Sequence, residues 1–335
     1  MSSRSNDLVD RLLEASVIGS FTKIGPTVRR RLAHWQKFER ATGLHVIITG
    51  ATSGLGLKAA ELLVGLGAEV HLVGRNEAKL RGVVDGLKPL AKAHRGSATG
   101  HVCDLSLLND TVKLVSELQR AVPIIDVLIH NAGALATAFT ETSEGLEQTL
   151  AVHVLSPELL TRGLTEQLVA GKGQVITMTS GGLYSERFDL ATLQMTQATY
   201  KGTVAYARAK RAQTLLTAKW NEDFGDRGIT AQLVHPGWAD TPGVDESLPI
   251  FSTLMGPLLR SPEQGVDTLV WLATTDPATR RPGQLWLDRA PRSLHKLRRT
   301  KLTETQDHAA AIALEAWCAD KIAQALSQPG STPSA

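Results

Sequence analysis

The sequence predicts an α/β fold, in which a single doubly wound parallel sheet carries helices on both faces and helical extensions flank it at both chain ends. Two observations lead to this prediction. From Leu44 onward, short β-branched or apolar runs alternate with longer segments of helical periodicity, which is the pattern of βαβ units. The run 124–129 is nearly all apolar, as in a parallel strand that is covered on both faces.

The composition supports one large folded unit and excludes several classes of protein. The 335 residues are 42% hydrophobic and 21% charged, and a net charge of only +3 gives no reason to expect a nucleic-acid partner. Two cysteines cannot build a disulfide framework, so a reducing compartment and a cytoplasmic location are expected. No apolar run approaches the roughly 18 to 20 residues of a membrane span. Asp7, Asp10 and Glu14 interrupt the place where a signal peptide would be apolar.

Residues 1–43 are predicted to be an N-terminal helical and basic extension. Apolar residues recur at helical spacing in its first part, at Leu8, Leu12, Leu13, Val17 and Ile18. Gly25-Pro26 is expected to end that helix. A basic stretch follows, which consists of Arg29, Arg30, Arg31, Lys37 and Arg40. The favoured interpretation is a solvated basic face that packs on the main domain, and the alternative is peripheral contact with an anionic lipid surface.

Residues 44–290 are predicted to form the main domain. Its strands are assigned to 44–49, 69–73, 98–103, 124–129, 173–179 and 229–235. Its helices are assigned to 54–67, 76–92, 106–120, about 143–169 and about 202–224. Ser106 is expected to cap the third of these helices. A C-terminal basic segment and a helix over 303–327 make up residues 291–327, and residues 328–335 are predicted to be a disordered tail.

A glycine-rich turn joins the first strand to the first helix of the main domain. It follows the pattern Gly-x-x-x-Gly-x-Gly, with Gly50, Gly54 and Gly56 at the three positions. Glycines at such a turn let the backbone approach a pyrophosphate, and the helix N-terminus offers free N–H groups and a positive dipole end. Because the turn opens the first βα unit, phosphate binding is favoured over a simple tight turn. Residues 44–290 are therefore predicted to be a Rossmann-type dinucleotide-binding domain.

The ends of the second and third strands bear on the choice of cofactor. Arg75 stands where many NAD sites carry an acid for the ribose 2′-hydroxyl, and a guanidinium suits a 2′-phosphate. NADP (NADPH) is therefore predicted and NAD is less favoured, the alternative being that Arg75 is an exposed loop residue. Asp104 is placed either to hydrogen-bond the adenine amino group or to help cap the next helix.

A tyrosine and a lysine share one face of the predicted helix 202–224. Of the three tyrosines, only Tyr206 has a lysine four residues later, Lys210. A neighbouring ammonium stabilises a phenolate, so the pair can exchange a proton with a substrate oxygen. Ser180 follows the fifth strand, at the edge of the sheet where ligands bind, and can hydrogen-bond a carbonyl or hydroxyl; Thr179 is the rival position.

Together these residues resemble the short-chain dehydrogenase/reductase superfamily. The shared motifs occur in the family's order, as Thr49-Gly50-x-x-x-Gly54-x-Gly56, Asn131-Ala132-Gly133, Ser180, Tyr206-x-x-x-Lys210, and Pro236-Gly237 followed by Thr241. They span about residues 44–290. The 26-residue step from Ser180 to Tyr206 is similar to that of the branch that holds the retinol dehydrogenases and the member-12 type of dehydrogenase/reductase.

The resemblance implies a role for each motif. Tyr206 would be the general acid/base, Lys210 would hold the nicotinamide ribose and tune Tyr206, and Ser180 would orient the reacting carbonyl. Residues 44–290 would therefore be the catalytic domain as well as the dinucleotide-binding domain. Besides the residues already named, those expected to border the cofactor are Thr52, Ser53, Leu55, Leu105, Asn131, Ala132, Gly133, Pro236, Gly237 and Thr241.

Two histidines depart from the family's pattern. His130 replaces the first asparagine of the usual Asn-Asn-Ala-Gly. His153 falls where the family has an asparagine that kinks a helix and supports a water relay to the lysine. A histidine there could bind a water or shuttle a proton, and it could equally weaken catalysis. His153 is counted among the catalytic candidates, and no metal site is predicted.

The expected function is that of an NADP(H)-dependent oxidoreductase that interconverts a carbonyl and an alcohol on a lipophilic small molecule. Apolar residues in 237–258 favour a lid over an apolar substrate. The alternative is an NADP-binding scaffold with impaired catalysis. A second basic run at 289–301 leaves peripheral membrane contact open, and a homo-oligomer is also left open.

Overall fold

One sheet of eight strands forms the centre of the protein, in a computed structural model that describes residues 3–133, 135–240, 253 and 255–327. Its spatial order is β3-β2-β1-β4-β5-β6-β7-β8, and all neighbouring strands are parallel except β7 and β8. This confirms the predicted doubly wound parallel sheet. The strands are β1 (His45–Thr49), β2 (Glu69–Gly74), β3 (Ser97–Val102), β4 (Val127–His130), β5 (Gln174–Met178), β6 (Thr230–Val234), β7 (Leu285–Leu287) and β8 (Ala290–Arg292).

Helices cover both faces of the sheet and enclose two apolar cores. One core lies between the sheet and α6, α8, α10 and α12, and the other lies between the sheet and α4, α5 and α11. Strand β4 is apolar because Leu128 enters the first core and Ile129 the second. The helices are α1 (Ser3–Ala15), α2 (Val17–Phe21), α3 (Ile24–Leu32), α4 (Gly54–Gly65), α5 (Glu77–His94), α6 (Leu108–Ala121), α7 (Gln148–Leu150), α8 (Ser156–Gly163), α9 (Thr165–Gly171), α10 (Gly202–Phe224), α11 (Pro262–Thr274) and α12 (Glu304–Ser327).

The start of α6 differs from the prediction. Ser106 does not cap this helix; α6 begins at Leu108, because the carboxylate of Glu144 accepts hydrogen bonds from the amides of Leu108 (2.6 Å) and Asn109 (2.9 Å). A carboxylate at this end also complements the helix dipole. Glu144 lies in a loop 36 residues further along the chain, so the local pattern gives no sign of the cap.

The helix predicted for about 143–169 is shorter and interrupted. It begins at Gln148, passes through one π-helical turn at Ala151–Leu155, continues as α8 and is separated from α9 at Leu164. The π turn inserts an extra residue into the helical repeat, as such turns often do near functional sites. It contains His153 and therefore decides where that side chain lies.

In the extension, Gly25-Pro26 does not end a helix. The two residues lie in the first turn of α3, where proline is tolerated because the first backbone N–H groups of a helix have no partner within it. The chain instead turns at Ser16, whose hydroxyl accepts a hydrogen bond from the amide of Gly19 at the start of α2.

The two basic runs are held together by acidic residues of α1. Arg29 is buried and pairs with Asp10 (2.6 Å) and Glu14 (3.2 Å), so the expectation of a solvated basic face is wrong for this residue. Arg292 pairs with Asp10 (2.7 Å), and Lys296 pairs with Glu14 (2.5 Å). Burial raises the pKa of Asp10 and of Glu14, but their basic partners outweigh it and hold both values below the ordinary range. The remaining basic residues of the first run are exposed: Arg30, Arg31, Lys37 and Arg40.

Some expectations lie outside the described residues. They concern Thr241, most of the lid predicted within 237–258, and the tail at 328–335. Among the helices of the described residues, none has both the length and the apolar content that crossing a bilayer requires.

Candidate active site

The glycine turn between β1 and α4 is shaped for an anionic ligand. Gly50 and Gly54 have positive φ values, +67° and +53°, which favour glycine. A Cβ on Gly56 would lie well under 3.0 Å from both the Gly50 carbonyl oxygen and the Asn131 side-chain amide. Ser53 provides no side-chain cap, so among the described residues it leaves the first amides of α4 to another acceptor. A phosphate group fits these amides and the positive end of the helix dipole.

Thr49 and Asn131 fix the turn to the end of β4. The Thr49 hydroxyl accepts hydrogen bonds from the amides of Asn131 and Ala132, both at 3.0 Å. The side-chain amide of Asn131 donates to the carbonyl oxygens of Thr49 (3.0 Å) and Gly50 (3.3 Å). The side chain of Asn131 thus fixes the shape of the glycine turn by bonding to the backbone of that turn. Thr49 is a site residue without a predicted role, although its place directly before the first glycine is a usable signal.

The other residues expected to border the cofactor lie around this turn. Thr52 and Leu55 are half-buried, whereas Ser53, Gly133 and Arg75 are exposed. Arg75 directly follows the carboxyl end of β2. The side chain of Leu105 packs in the first core instead of lying open to solvent.

Asp104 has a local partner. Its Oδ1 accepts hydrogen bonds from the amide (2.9 Å) and the hydroxyl (2.7 Å) of Ser106. Asp104 therefore orders the turn before α6 but does not cap that helix, whose first amides bond to Glu144, and its contact with adenine stays a prediction.

Ser180, Tyr206 and Lys210 meet where β5 ends. The hydroxyl of Ser180 lies close enough to the phenol of Tyr206 to lower its pKa as a hydrogen-bond donor, and Lys210 Nζ lies 5.4 Å from the centroid of the same phenol ring. Lys210 also donates a 2.8 Å hydrogen bond to the carbonyl of Met178, the last residue of β5. Thr179 is buried, and within the described part of the chain its hydroxyl has no hydrogen-bond partner. Ser180, not its rival, therefore contacts the phenol.

Burial dominates the electrostatics of this triad. It raises the pKa of Tyr206, and the hydrogen bond from Ser180 opposes the rise. It also lowers the pKa of Lys210 to about 7. The net effect on Tyr206 is a raised pKa, and the tuning of Tyr206 by Lys210 stays a prediction. The phenol is protonated at neutral pH and can serve as a proton donor.

His153 lies against two residues of the site. Its ring is edge-on to that of Tyr206, with centroids 5.2 Å apart and an interplanar angle of 89°. A Cβ on Gly133 would overlap the imidazole of His153, so the ring occupies the space beside that glycine. The His153 carbonyl accepts a 2.9 Å hydrogen bond from the side chain of Gln213, a residue that the sequence did not indicate.

His130, the other departure from the family's pattern, takes no direct part in the triad. It is buried, its Nε2 is 2.8 Å from the hydroxyl of Thr161, and burial lowers its pKa to about 3. A neutral imidazole hydrogen-bonded inside the core is a structural histidine.

Pro236 and Gly237 follow β6, beside the turn with Ser180 that follows the neighbouring strand β5. The amide of Thr179 donates to the carbonyl of Val234, which keeps the two strand ends adjacent (2.8 Å). The amide of Gly237 donates to Nδ1 of His235 at 2.8 Å. Burial lowers the pKa of His235 to about 3, so this imidazole is neutral and able to accept that bond.

Comparison with known proteins identifies the family. Residues 44–249 match the family model described as short chain dehydrogenase. Human dehydrogenase/reductase SDR family member 12 is 35% identical over 254 residues, which cover 74% of this chain and 78% of that protein. A protein of Streptomyces sp. (strain C5), provisionally named daunorubicin C-13 ketoreductase, is 32% identical over 74% of this chain and 84% of its own.

A solved structure shows the same fold. A short-chain dehydrogenase from Escherichia coli CFT073, complexed with NADPH, has a TM-score of 0.61 and 21% identity, and the match covers 76% of this chain and all of that one (100%). The family match, the sequence identities and the sheet together show that this chain belongs to the short-chain dehydrogenase/reductase family and is an NAD(P)-dependent oxidoreductase.

Proposed function

We propose that this protein is an NADP(H)-dependent oxidoreductase that interconverts a carbonyl and an alcohol on a lipophilic small molecule, with Tyr206 as general acid/base. The observation that carries the proposal is the contact of Ser180, Tyr206 and Lys210 at the end of β5. Ligands of open α/β sheets bind outside the carboxyl ends of the strands, where the glycine turn also lies.

The residues around the glycine turn would hold the cofactor. The first amides of α4 would bind its pyrophosphate, and Arg75 would pair with a 2′-phosphate. NADPH in the related Escherichia coli structure supports this choice. When bound, the cofactor supplies or accepts the hydride, and the protein supplies position and electrostatics.

The triad would handle the proton. Ser180 would hold the substrate oxygen within reach of the phenol, and Tyr206 would give its proton to that oxygen as the carbonyl is reduced. Because the pKa of Lys210 is about 7, this lysine can return a proton to the phenolate at neutral pH. The raised pKa of Tyr206 keeps the phenol protonated at neutral pH, so it can act as the acid when a carbonyl is reduced.

One relative supports a lipophilic substrate. The Streptomyces protein is named for the reduction of a ketone. The rings of Phe21 and Tyr184 behind the Ser180 turn are buried in an apolar cluster and do not line a substrate space. The name of the relative therefore carries the choice of an apolar carbonyl compound.

Tyr206→Phe tests the assignment of the acid/base. The variant should bind NADPH like the parent, because the phenol ring remains, and should reduce none of the carbonyls that the parent reduces in a screen of aldehydes and ketones. Tyr200→Phe is the matched control, since the Tyr200 hydroxyl bonds to Thr149 and Ala136 outside the triad. Full turnover by Tyr206→Phe would remove the tyrosine from its role.

Arg75→Ala tests the choice of cofactor. Loss of one charge-assisted hydrogen bond to a 2′-phosphate should cost roughly 1.5–3 kcal/mol, which is about tenfold or more in NADPH affinity. NADH binding should not change. An unaltered NADPH dissociation constant would contradict the assignment of Arg75.

The contacts of His153 favour one second candidate, a cofactor-binding scaffold with impaired catalysis. The imidazole fills the space beside Gly133, and the carbonyl of His153 is already bonded to Gln213. The variant His153→Asn distinguishes the active oxidoreductase from the scaffold with impaired catalysis. A large gain in turnover would support the scaffold, and unchanged turnover would show that histidine serves as well as asparagine.

A further inference from the structure

We infer that the segment Ser20–Phe21 of the N-terminal extension is a positioning element of the active site, which holds the loop His235–Trp238 in the shape that receives the nicotinamide end of the cofactor. We call this loop the nicotinamide loop. The inference rests on the proposed function, because it takes Pro236-Gly237 as a cofactor contact.

The ring of Phe21 packs directly on this loop. Phe21 is only 3% exposed, and its ring stacks on that of His235 with centroids 4.4 Å apart and an interplanar angle of 26°. His235 in turn accepts the amide hydrogen of Gly237 (2.8 Å). A Cβ placed on Gly181, the residue after Ser180, would lie 3.7 Å from both Phe21 and His235. Phe21 therefore touches the nicotinamide loop and the turn that carries the catalytic serine.

Backbone hydrogen bonds fix the same loop to the extension. The carbonyl oxygen of Phe21 accepts hydrogen bonds from the amide of Trp238 (2.7 Å) and from Nε of Arg260 (2.9 Å). The carbonyl oxygen of Ser20 accepts a further bond from Arg260 (2.6 Å). A Cβ on Gly237 would overlap the Arg260 guanidinium, so that side chain lies directly against Gly237. Arg260 is thus held between the extension and the loop.

A buried carboxylate locks this arrangement. Asp288 accepts hydrogen bonds from Arg260 (2.7 and 3.0 Å) and from Arg29 of the extension (2.7 Å). The side chains of Arg260 and Asp288 are each only 1% exposed. Moving the extension away would take Arg29 from Asp288 and the Ser20 and Phe21 carbonyls from Arg260, which leaves buried polar groups with fewer hydrogen-bond partners and is unfavourable.

These contacts lie largely outside the region that defines the family. The family model matches residues 44–249, whereas Ser20, Phe21, Arg29, Arg260 and Asp288 all lie beyond that range. The extension therefore supplies this chain with a support for the nicotinamide loop that the family match does not itself contain.

Phe21→Leu in the full-length chain tests the inference by binding alone. Two ligands are compared: NADPH, and 2′,5′-ADP, which has the adenosine 2′-phosphate but lacks the nicotinamide. A shift of about 1 Å in the nicotinamide loop would weaken its contact with the cofactor, so the variant should bind NADPH about tenfold more weakly or worse. It should bind 2′,5′-ADP like the parent. If Phe21→Leu does not fold, Phe21→Met takes its place, because methionine is similar to leucine in volume and also lacks a ring.

Phe38→Leu is the matched control, because Phe38 also belongs to the extension but packs against the core beside α4 and over Arg289. It should change neither affinity. Equal weakening of both ligands by Phe21→Leu, or no change in either, would overturn the inference. The proposed function is refuted by a different measurement, namely a parent protein that binds NADPH but reduces no carbonyl. In that case the comparison of NADPH with 2′,5′-ADP in Phe21→Leu still decides whether Phe21 positions the nicotinamide loop.

Discussion

Replacing Gly56 by alanine should disrupt the cofactor turn. The added Cβ would lie well under 3.0 Å from the Gly50 carbonyl oxygen and from the Asn131 amide, so either the turn or α4 must move. Overpacking of this kind costs about 1–3 kcal/mol, and alanine recovers about 0.5–1 kcal/mol through its better helix propensity. The free energy of unfolding should therefore fall by up to about 2.5 kcal/mol.

The effect on cofactor binding should be at least comparable with the effect on stability. Asn131 holds the turn through hydrogen bonds of 3.0 and 3.3 Å to Thr49 and Gly50, and the Cβ would displace its amide. NADPH affinity should drop at least about tenfold, because the amides that face the pyrophosphate shift with the turn. Urea unfolding measures the stability, and the change in NADPH fluorescence on titration measures the affinity.

Gly82→Ala is the matched control with the opposite expected sign. Gly82 lies inside α5, and a Cβ there meets no described atom within 4 Å. This variant should gain about 0.5–1 kcal/mol and bind NADPH like the parent. If Gly56→Ala retained the parent's NADPH affinity within about twofold, the steric reasoning for the turn would be refuted.

Three further predictions follow from buried charges and caps. The pKa of Lys210 is about 7 in the folded protein against 10.5 as the ordinary value, so the unfolded chain binds more protons between these pH values. The free energy of unfolding of the parent without cofactor should therefore rise with pH over that range. In Lys210→Met the part of this rise that comes from the lysine should be missing, and urea unfolding of both proteins at several pH values measures the difference. The pKa values of Asp10 and Glu14 are held below 3.8 and 4.5, so their stabilisation is present above these values and is lost as the pH falls through the lowered ones. Hydrogen exchange in α1–α3 should therefore be faster at about pH 3 than at about pH 7 relative to the sheet, and equal protection would contradict the pairing. Glu144→Ala should lower the free energy of unfolding by about 1–2 kcal/mol, because two amides at the start of α6 lose their acceptor, and an unchanged urea midpoint would rule out the cap.

Local patterns in the sequence were sufficient for the sheet and for the main chemistry. The six predicted strands form within three residues of their predicted ends, because both the alternation with helices and the apolar content of each strand are local properties. The glycine spacing around Gly54 and the four-residue step from Tyr206 to Lys210 are local too. They predict a phosphate turn and a shared helix face without reference to the rest of the chain.

The remaining features depend on contacts between distant residues. Glu144 caps a helix that begins 36 residues earlier, and the π turn that places His153 has no signature in the local pattern. The short strands β7 and β8 give too little periodicity to be recognised.

The largest difference between expectation and structure concerns the extension. The charges of its residues, considered alone, predict a solvated or lipid-facing surface. In the structure, Arg29 instead reaches Asp288, 259 residues away, and Arg260 reaches Phe21 across 239 residues. Local sequence patterns are enough to locate the strands and the residues that can carry a proton. Which charges meet inside the protein depends on the fold, since burying a charge is tolerated only where the fold brings a partner to it.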